Sequence, residues 1–167
     1  MHHTYIQAGI KDICAIQVLA RRIWEEAYNA MLSKEQIDYM LEMMYSAKVI
    51  TEELLNGIVW DIIFDNDRPC GYISYSFEED NSVKLRKLYI GKNSRGKGIA
   101  EDSIHRVLQY ARRNGKNFVY LTVNKTNKRA IRAYEKSGFT ITASVVTDIS
   151  NGFVMDDYIM KCFTKDA

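Results

Sequence analysis

Val83-Lys84-Leu85-Arg86-Lys87-Leu88-Tyr89-Ile90 runs through Gly91-Lys92-Asn93 into Ser94-Arg95-Gly96-Lys97-Gly98-Ile99-Ala100, and the reading of this stretch governs the rest of the chain. The first eight residues read as a strand, while beyond the glycines Ile104, Val107, Leu108 and Ala111 recur at helical spacing and Asn114-Gly115 supplies a left-handed stop. A loop between a strand end and a helix start presents unpaired backbone N–H groups and the positive end of the helix dipole, which together can hold an anion. Glycine at 96 and 98 removes the Cβ atoms that would keep a phosphate away from that backbone. An ordinary basic glycine turn would carry the same two glycines, so the loop alone does not decide. A Walker loop (GxxxxGK[ST]) and a dinucleotide fingerprint (GxGxxG with an acid about 20 residues on) are both absent.

Working outward, residues 4–7 read as a first strand, and Ile13, Ile16, Ala20, Ile23 and Ala27 give residues 11–28 a helical period. Ser33 with Gln36 makes a capping box ahead of the apolar face Ile37, Met40, Leu41 and Met44, so a second helix starts there and 51–55 extend it. Residues 59–64 and 70–77 are strands joined by the turn Asp65-Asn66-Asp67-Arg68-Pro69, and with 83–90 they form an antiparallel meander. Residues 118–123 form a strand, 127–136 a helix ended by Gly138, and 139–146 and 153–163 closing strands. The expectation is a single α+β domain over residues 1–167, without internal repeat or low-complexity linker.

With 47% hydrophobic and 11% aromatic residues, 167 residues suffice for one packed core. No apolar run approaches a membrane span and no signal-peptide core opens the chain, so a soluble cytoplasmic protein without membrane partners is expected. Cys14, Cys70 and Cys162 are odd in number and far apart, which predicts reduced, mostly buried thiols and neither a disulfide framework nor a zinc site. The net charge of +2 conceals an asymmetry: residues 11–80 hold 6 Lys/Arg against 14 Asp/Glu, and residues 84–132 hold 14 against 2. One segment suits an anionic partner and the other a cationic one.

Two segments carry a family resemblance. Arg95-x-x-Gly98-x-Ala100 after the strand 85–90, then Asn127-x-x-Ala130-x-x-x-Tyr134-x-x-x-Gly138-Phe139, resemble the signatures of the GNAT superfamily of N-acetyltransferases in order and spacing over residues 83–139. Trp24, Tyr28, Gln36 and Tyr39 further resemble the bacterial spermine/spermidine acetyltransferase-like branch. The resemblance implies an acyl-CoA N-acyltransferase fold: a mostly antiparallel central sheet of six to seven strands, splayed at the cofactor site and flanked by about four helices. It implies that the backbone of Leu88, Tyr89 and Ile90 pairs with the pantetheine arm of acetyl-CoA and that Arg95, Gly96, Lys97, Gly98, Ile99 and Ala100 cradle the pyrophosphate. Asn127 would bind the cofactor amide; Lys136 would reach a CoA phosphate or simply be a solvated helix residue. No metal is implied, and a homodimer fits the resemblance.

Acetyl transfer needs a neutral amine, a polarised thioester carbonyl and a proton for the leaving thiolate. By the resemblance Tyr134 is that proton donor, a phenol of ordinary pKa about 10. Read without its neighbours, it is a core tyrosine on an apolar helix face. Family members often carry a glutamate on one of the strands beside the cofactor, where this chain has Lys84, Arg86, Lys87 and Thr122. Glu25, Glu26, Glu78 and Glu79 are unranked candidates for the proton acceptor, reached through water. The acceptor reads as a small-molecule amine, polyamine-like or other, or a peptide N-terminus. The alternatives are a CoA-binding sensor or interaction module without turnover, and a nucleic-acid binder suggested by Tyr89, Tyr110 and Tyr120 in the basic segment. No RNP-like or helix-turn-helix pattern supports the last, so no nucleic-acid partner is expected. His105 reads as structural or exposed rather than catalytic, and Cys162 has no activating base nearby in sequence, which favours direct transfer over an acyl-cysteine. His2 and His3 are expected to lie in a disordered terminus.

Overall fold

The computed structural model describes residues 3–165. In chain order the elements are β1 (His3–Gln7), α1 (Ile13–Tyr28), α2 (Lys34–Tyr45), α3 (Ala47–Leu55), β2 (Val59–Asp65), β3 (Arg68–Phe77), β4 (Val83–Ile90), α4 (Ile99–Arg113), β5 (Phe118–Asn124), α5 (Lys128–Lys136), β6 (Thr140–Asp148) and β7 (Val154–Phe163). Single 3-10 turns occupy Ile10–Asp12 and Lys92–Ser94. The seven strands form one sheet in the order β1-β2-β3-β4-β5-β7-β6. The pairs β1–β2, β2–β3, β5–β7 and β6–β7 are antiparallel and β4–β5 is parallel, so the sheet is mixed within the expected α+β class. His3, expected in a disordered terminus, opens β1, paired with Asp65; His2 lies outside the described residues.

The chain divides into two compact units, the first made of residues up to Tyr75 together with Lys87–Ile99. Its core holds Ile16, Ala20, Ile23, Ile50, Trp60, Ile63, Tyr72 and Ile73, all fully buried. The periodic apolar stripe of α1 supplies three of them. Ser33 Oγ accepts from Gln36 N at 3.2 Å and Gln36 Oε1 accepts from Ser33 N at 3.0 Å, the capping box expected from the sequence. The second helix does not continue into 51–55 unbroken. Ser46 is extended, with ψ at 153°, and its hydroxyl accepts from Val49 N, so it ends α2 and caps a separate α3.

The β2–β3 connection is also tighter than the five-residue turn expected. Asp65 pairs with Arg68, leaving only Asn66 (φ 48°) and Asp67 (φ 64°) in the turn, a left-handed pair whose twist matches that of the flanking strands. Pro69 faces Phe64 beside a register shift, where the missing N–H is tolerated.

The second unit comprises Ser76–Arg86 and residues from Ala100 onward. Val83, Val107, Ala111, Val119 and Met160 are fully buried in it. Helix α4 carries Glu101 and Asp102 in its first turn and Arg112 and Arg113 in its last, the polarity that complements a helix dipole. Gly115 (φ 66°) ends it, with Lys116 N donating to Ala111 O at 2.9 Å. Strand β5 pairs with β7 over its whole length, whereas its ladder with β4 registers Val83 with Val119 and Lys84 with Tyr120.

Candidate functional site: a glycine loop and a tyrosine helix

The loop after β4 belongs to the first unit and is held at several points. Gly91 N donates to Cys70 O at 2.8 Å, Lys92 N to Glu26 Oε2 at 3.1 Å, and Arg95 Nε back to Ile90 O at 2.9 Å. Ser94 Oγ donates to Asp65 Oδ2 at 3.0 Å, and Lys97 Nζ reaches the same oxygen at 2.6 Å. Lys97 foremost, then Ser94, hold the Asp65 carboxyl below its usual value. Gly96 (φ 75°) and Gly98 (φ 80°) are left-handed, and a Cβ built at either would meet no atom within 4 Å. Space beside this backbone is therefore open, as approach by a phosphate requires. A cleft of about 570 Å³ next to the loop is lined by Arg22, Glu26, Asn66, Asn93 and Lys97 among others.

Strand β4 brings Leu88, Tyr89 and Ile90 to this loop. A Cβ on Gly71 would collide with the Tyr89 carbonyl oxygen, so that glycine permits close approach of strands β3 and β4. The Tyr89 ring packs 5.6 Å from Trp24 and 5.5 Å from Tyr72. Tyr72 donates its hydroxyl to that of Tyr45 at 2.8 Å, and burial raises both phenols well above their usual value. Lys87, on the strand that leads into the glycine loop, is enclosed: its ammonium lies 5.5 Å from the Tyr45 ring, 5.1 Å from the Trp60 ring and 3.5 Å from Glu53 Oε1.

In the second unit, Ala100 lies in the first turn of α4 and Tyr134 on α5, buried, its ring 5.7 Å from that of Phe139. Asn127 stands just before α5 and its Oδ1 accepts from Ala130 N at 3.1 Å, so the side chain expected at a cofactor amide also caps its helix. Lys136 is three-quarters exposed and 3.8 Å from Glu101 Oε1.

The acids considered as proton acceptors are differently placed. Glu25 is exposed beside Arg21. Glu26 accepts the Lys92 amide. Glu78 accepts from Ser76 Oγ at 2.7 Å and Arg86 at 3.3 Å. Glu79 is exposed. A carboxylate not foreseen is Asp157 on β7, buried opposite Asn124, with Oδ1 lacking a hydrogen-bond partner among the described residues. Burial first, and Asp156 second, raise its pKa. Asp156-Asp157 looks like a solvated acidic pair in sequence, and only the strand register turns the second residue inward.

Of the three thiols, Cys70 and Cys162 are buried and Cys14 is exposed. Burial raises the Cys162 thiol, which disfavours the thiolate a nucleophile would need. Among the described residues no group of three or more His, Cys, Asp or Glu could hold a metal ion, and no helix is long and apolar enough to cross a membrane.

The model of the acetyltransferase (GNAT) family matches residues 19–139. An uncharacterized N-acetyltransferase of Mycobacterium bovis is 39% identical over 77 residues, 46% of this chain and 49% of the relative. The chain thus spans about half the length of the curated relatives it matches. Among solved structures, the PaiA N-acetyltransferase of Thermoplasma acidophilum in complex with coenzyme A superposes with a TM-score of 0.82 at 22% identity, over 98% of this chain and 99% of that one. YncA of Salmonella typhimurium, described as a putative acetyltransferase with its cofactor acetyl-CoA, gives 0.68 at 20% identity over 100% and 96%.

Proposed function

This chain belongs to the acetyltransferase (GNAT) family, and on that premise we propose that it transfers the acetyl group of acetyl-CoA to a primary amine of a small molecule or a peptide N-terminus. The observation that carries the reading is the loop between β4 and α4, with left-handed Gly96 and Gly98 open on the side a phosphate would approach. Its amides hold the pyrophosphate as a helix start holds anions generally. The backbone of Leu88, Tyr89 and Ile90 supports the pantetheine arm, and Asn127 the cofactor amide.

Acetyl-CoA supplies the activated acyl group. The amine nitrogen bonds to the thioester carbon, the carbon–sulfur bond breaks, and the Tyr134 hydroxyl gives its proton to the departing sulfur. The phenol then regains the proton that the amine releases, directly or through water. Cys162 takes no part, so transfer is direct.

The acceptor is cationic or at least amine-bearing. The acidic segment 11–80 supports this. Release of free thiol from acetyl-CoA, measured against a panel of polyamines, amino sugars, amino acids and N-terminal peptides, tests the reading. Acetyl-CoA-dependent thiol release with at least one amine is the expected result, and its absence with the whole panel would refute turnover. A second reading, a CoA-binding module without turnover, draws on the engagement of Glu26 and Glu78 with other groups. It predicts CoA binding with no thiol release.

A further inference from the structure

We propose that Asp65 is the residue that sets the shape of the phosphate-binding loop, positioning it through Lys97 and Ser94 without touching the cofactor. The inference rests on the reading of that loop as the acetyl-CoA site.

Asp65 ends β2 and precedes the two-residue turn, so strand pairing with both His3 and Arg68 holds its backbone. Its side chain is 9% exposed, and both oxygens are engaged: Oδ1 accepts from Asn66 Nδ2 at 3.0 Å, Oδ2 from Ser94 Oγ at 3.0 Å and from Lys97 Nζ at 2.6 Å. These contacts span 29 and 32 residues of sequence, so a rigid strand end grips a distant loop.

The grip falls where the loop most needs it. In Gly96-Lys97-Gly98 the two glycines have the widest backbone freedom, and Lys97 is the one side chain by which the segment can be held from outside. Tying Lys97 to a fixed carboxylate narrows both flanking glycines before any ligand arrives, so binding need not supply that ordering. The Lys97 ammonium keeps about a third of its surface in solvent, so freeing it strands no buried cation, and the effect of losing the pair is expected mainly in the loop rather than in the melting temperature. Lys97, which the resemblance places in the pyrophosphate cradle, contributes its ammonium as the loop's tether.

Titration calorimetry with CoA tests this on the unaltered protein, Asp65→Ala, Asp65→Asn, Lys97→Ala and the Asp65→Ala/Lys97→Ala double variant. Freeing about one residue's backbone should weaken CoA binding roughly tenfold in Asp65→Ala. Lys97→Ala should lose a similar factor, and the double variant no more than the larger single loss. In turnover the loss should fall on KM for acetyl-CoA and spare kcat, with Asp65→Asn intermediate because it keeps an acceptor for Ser94. If Lys97 binds phosphate directly and Asp65 merely neutralises it, Asp65→Ala would tighten CoA binding, which overturns the proposal. So would binding equal to that of the unaltered protein, or losses that add in the double variant. Hydrogen exchange without ligand separates this from the parent reading. Amides of residues 95–99 should exchange faster in Asp65→Asn and Lys97→Ala even if CoA fails to bind the unaltered protein, and unchanged exchange there would refute the tether by itself.

Discussion

The ring of Tyr134 lies 5.7 Å from that of Phe139 at an angle of 57°, and Phe139 N donates to Tyr134 O at 3.0 Å, so the turn that follows the helix fixes the tyrosine. Removing only the hydroxyl leaves this packing intact. Tyr134→Phe should therefore keep its melting temperature and its CoA affinity while kcat falls about 10²- to 10⁴-fold, the usual range for a lost general acid. Steady-state kinetics with a calorimetric check of CoA binding measure both; full turnover would remove Tyr134 from the chemistry.

Gly98 has φ at 80° and open space where a Cβ would go, so a substitution there strains the backbone without a steric clash. Gly98→Val should cost about 1–2 kcal/mol locally or flatten the loop out of its left-handed turn. In the first case the side chain fills the space from which a phosphate would approach, and in the second the loop loses its shape, so Kd rises and the increase in melting temperature caused by CoA, which follows RT ln(1 + [L]/Kd), should largely vanish. An undiminished thermal shift in the variant would show that the loop's conformation does not matter to binding.

Asp157 makes a prediction of opposite sign to most acids. Burial raises its pKa, so the folded state binds its proton more tightly than the unfolded chain. Stability is then highest while the group is protonated and declines as pH rises from about 4 through the raised folded value. Asp157→Asn removes that penalty: the variant should melt above the unaltered protein at pH 7, with a gap that closes toward pH 4. Melting curves across that range test the sign, and a gap that widens on acidification would mean the carboxylate is stabilised as an anion. A kcat/KM–pH profile of the same variant tells separately whether Asp157 accepts the amine's proton, since the acidic limb would then disappear.

Salt should distinguish acceptors. Residues 11–80 carry 14 acids against 6 bases, and attraction of a polyamine to such a surface is screened beyond a Debye length of about 8 Å at physiological ionic strength. kcat/KM for a polyamine should fall more steeply with salt than kcat/KM for an amine with an uncharged tail. Equal slopes would assign the effect to CoA at the basic loop, and preference for anionic acceptors would contradict the charge reading.

Local signals carried much of this fold. The switch from strand to helical period around the glycines, the Ser33–Gln36 box and the Gly115 stop are each written within a few adjacent residues, and each occurs in the structure. Features that depend on distant partners were not legible. Ser46 lies in a stretch whose apolar spacing runs on past it, and only its extended backbone shows the break. Pro69 suggests a turn, but Asn66 and Asp67 complete the reversal before it. Lys97 was legible only as part of a basic glycine loop; the carboxylate it meets comes from the end of a strand 32 residues away. Asp157 is turned inward by strand register, which no local pattern reports.

The two tryptophans of the chain, Trp24 and Trp60, both fall in the first unit, and neither is more than 4% exposed. Trp24 packs against Tyr89, Trp60 lies beneath the Lys87 ammonium, and its indole N–H donates to Glu53 Oε2 at 2.8 Å. Intrinsic fluorescence therefore observes β4 at two neighbouring positions of one face, Lys87 and Tyr89, while the unit bearing Tyr134 contributes no indole signal. Emission excited at the red edge of the indole band becomes a label-free optical probe of the strand that leads into the glycine loop, already installed by the sequence.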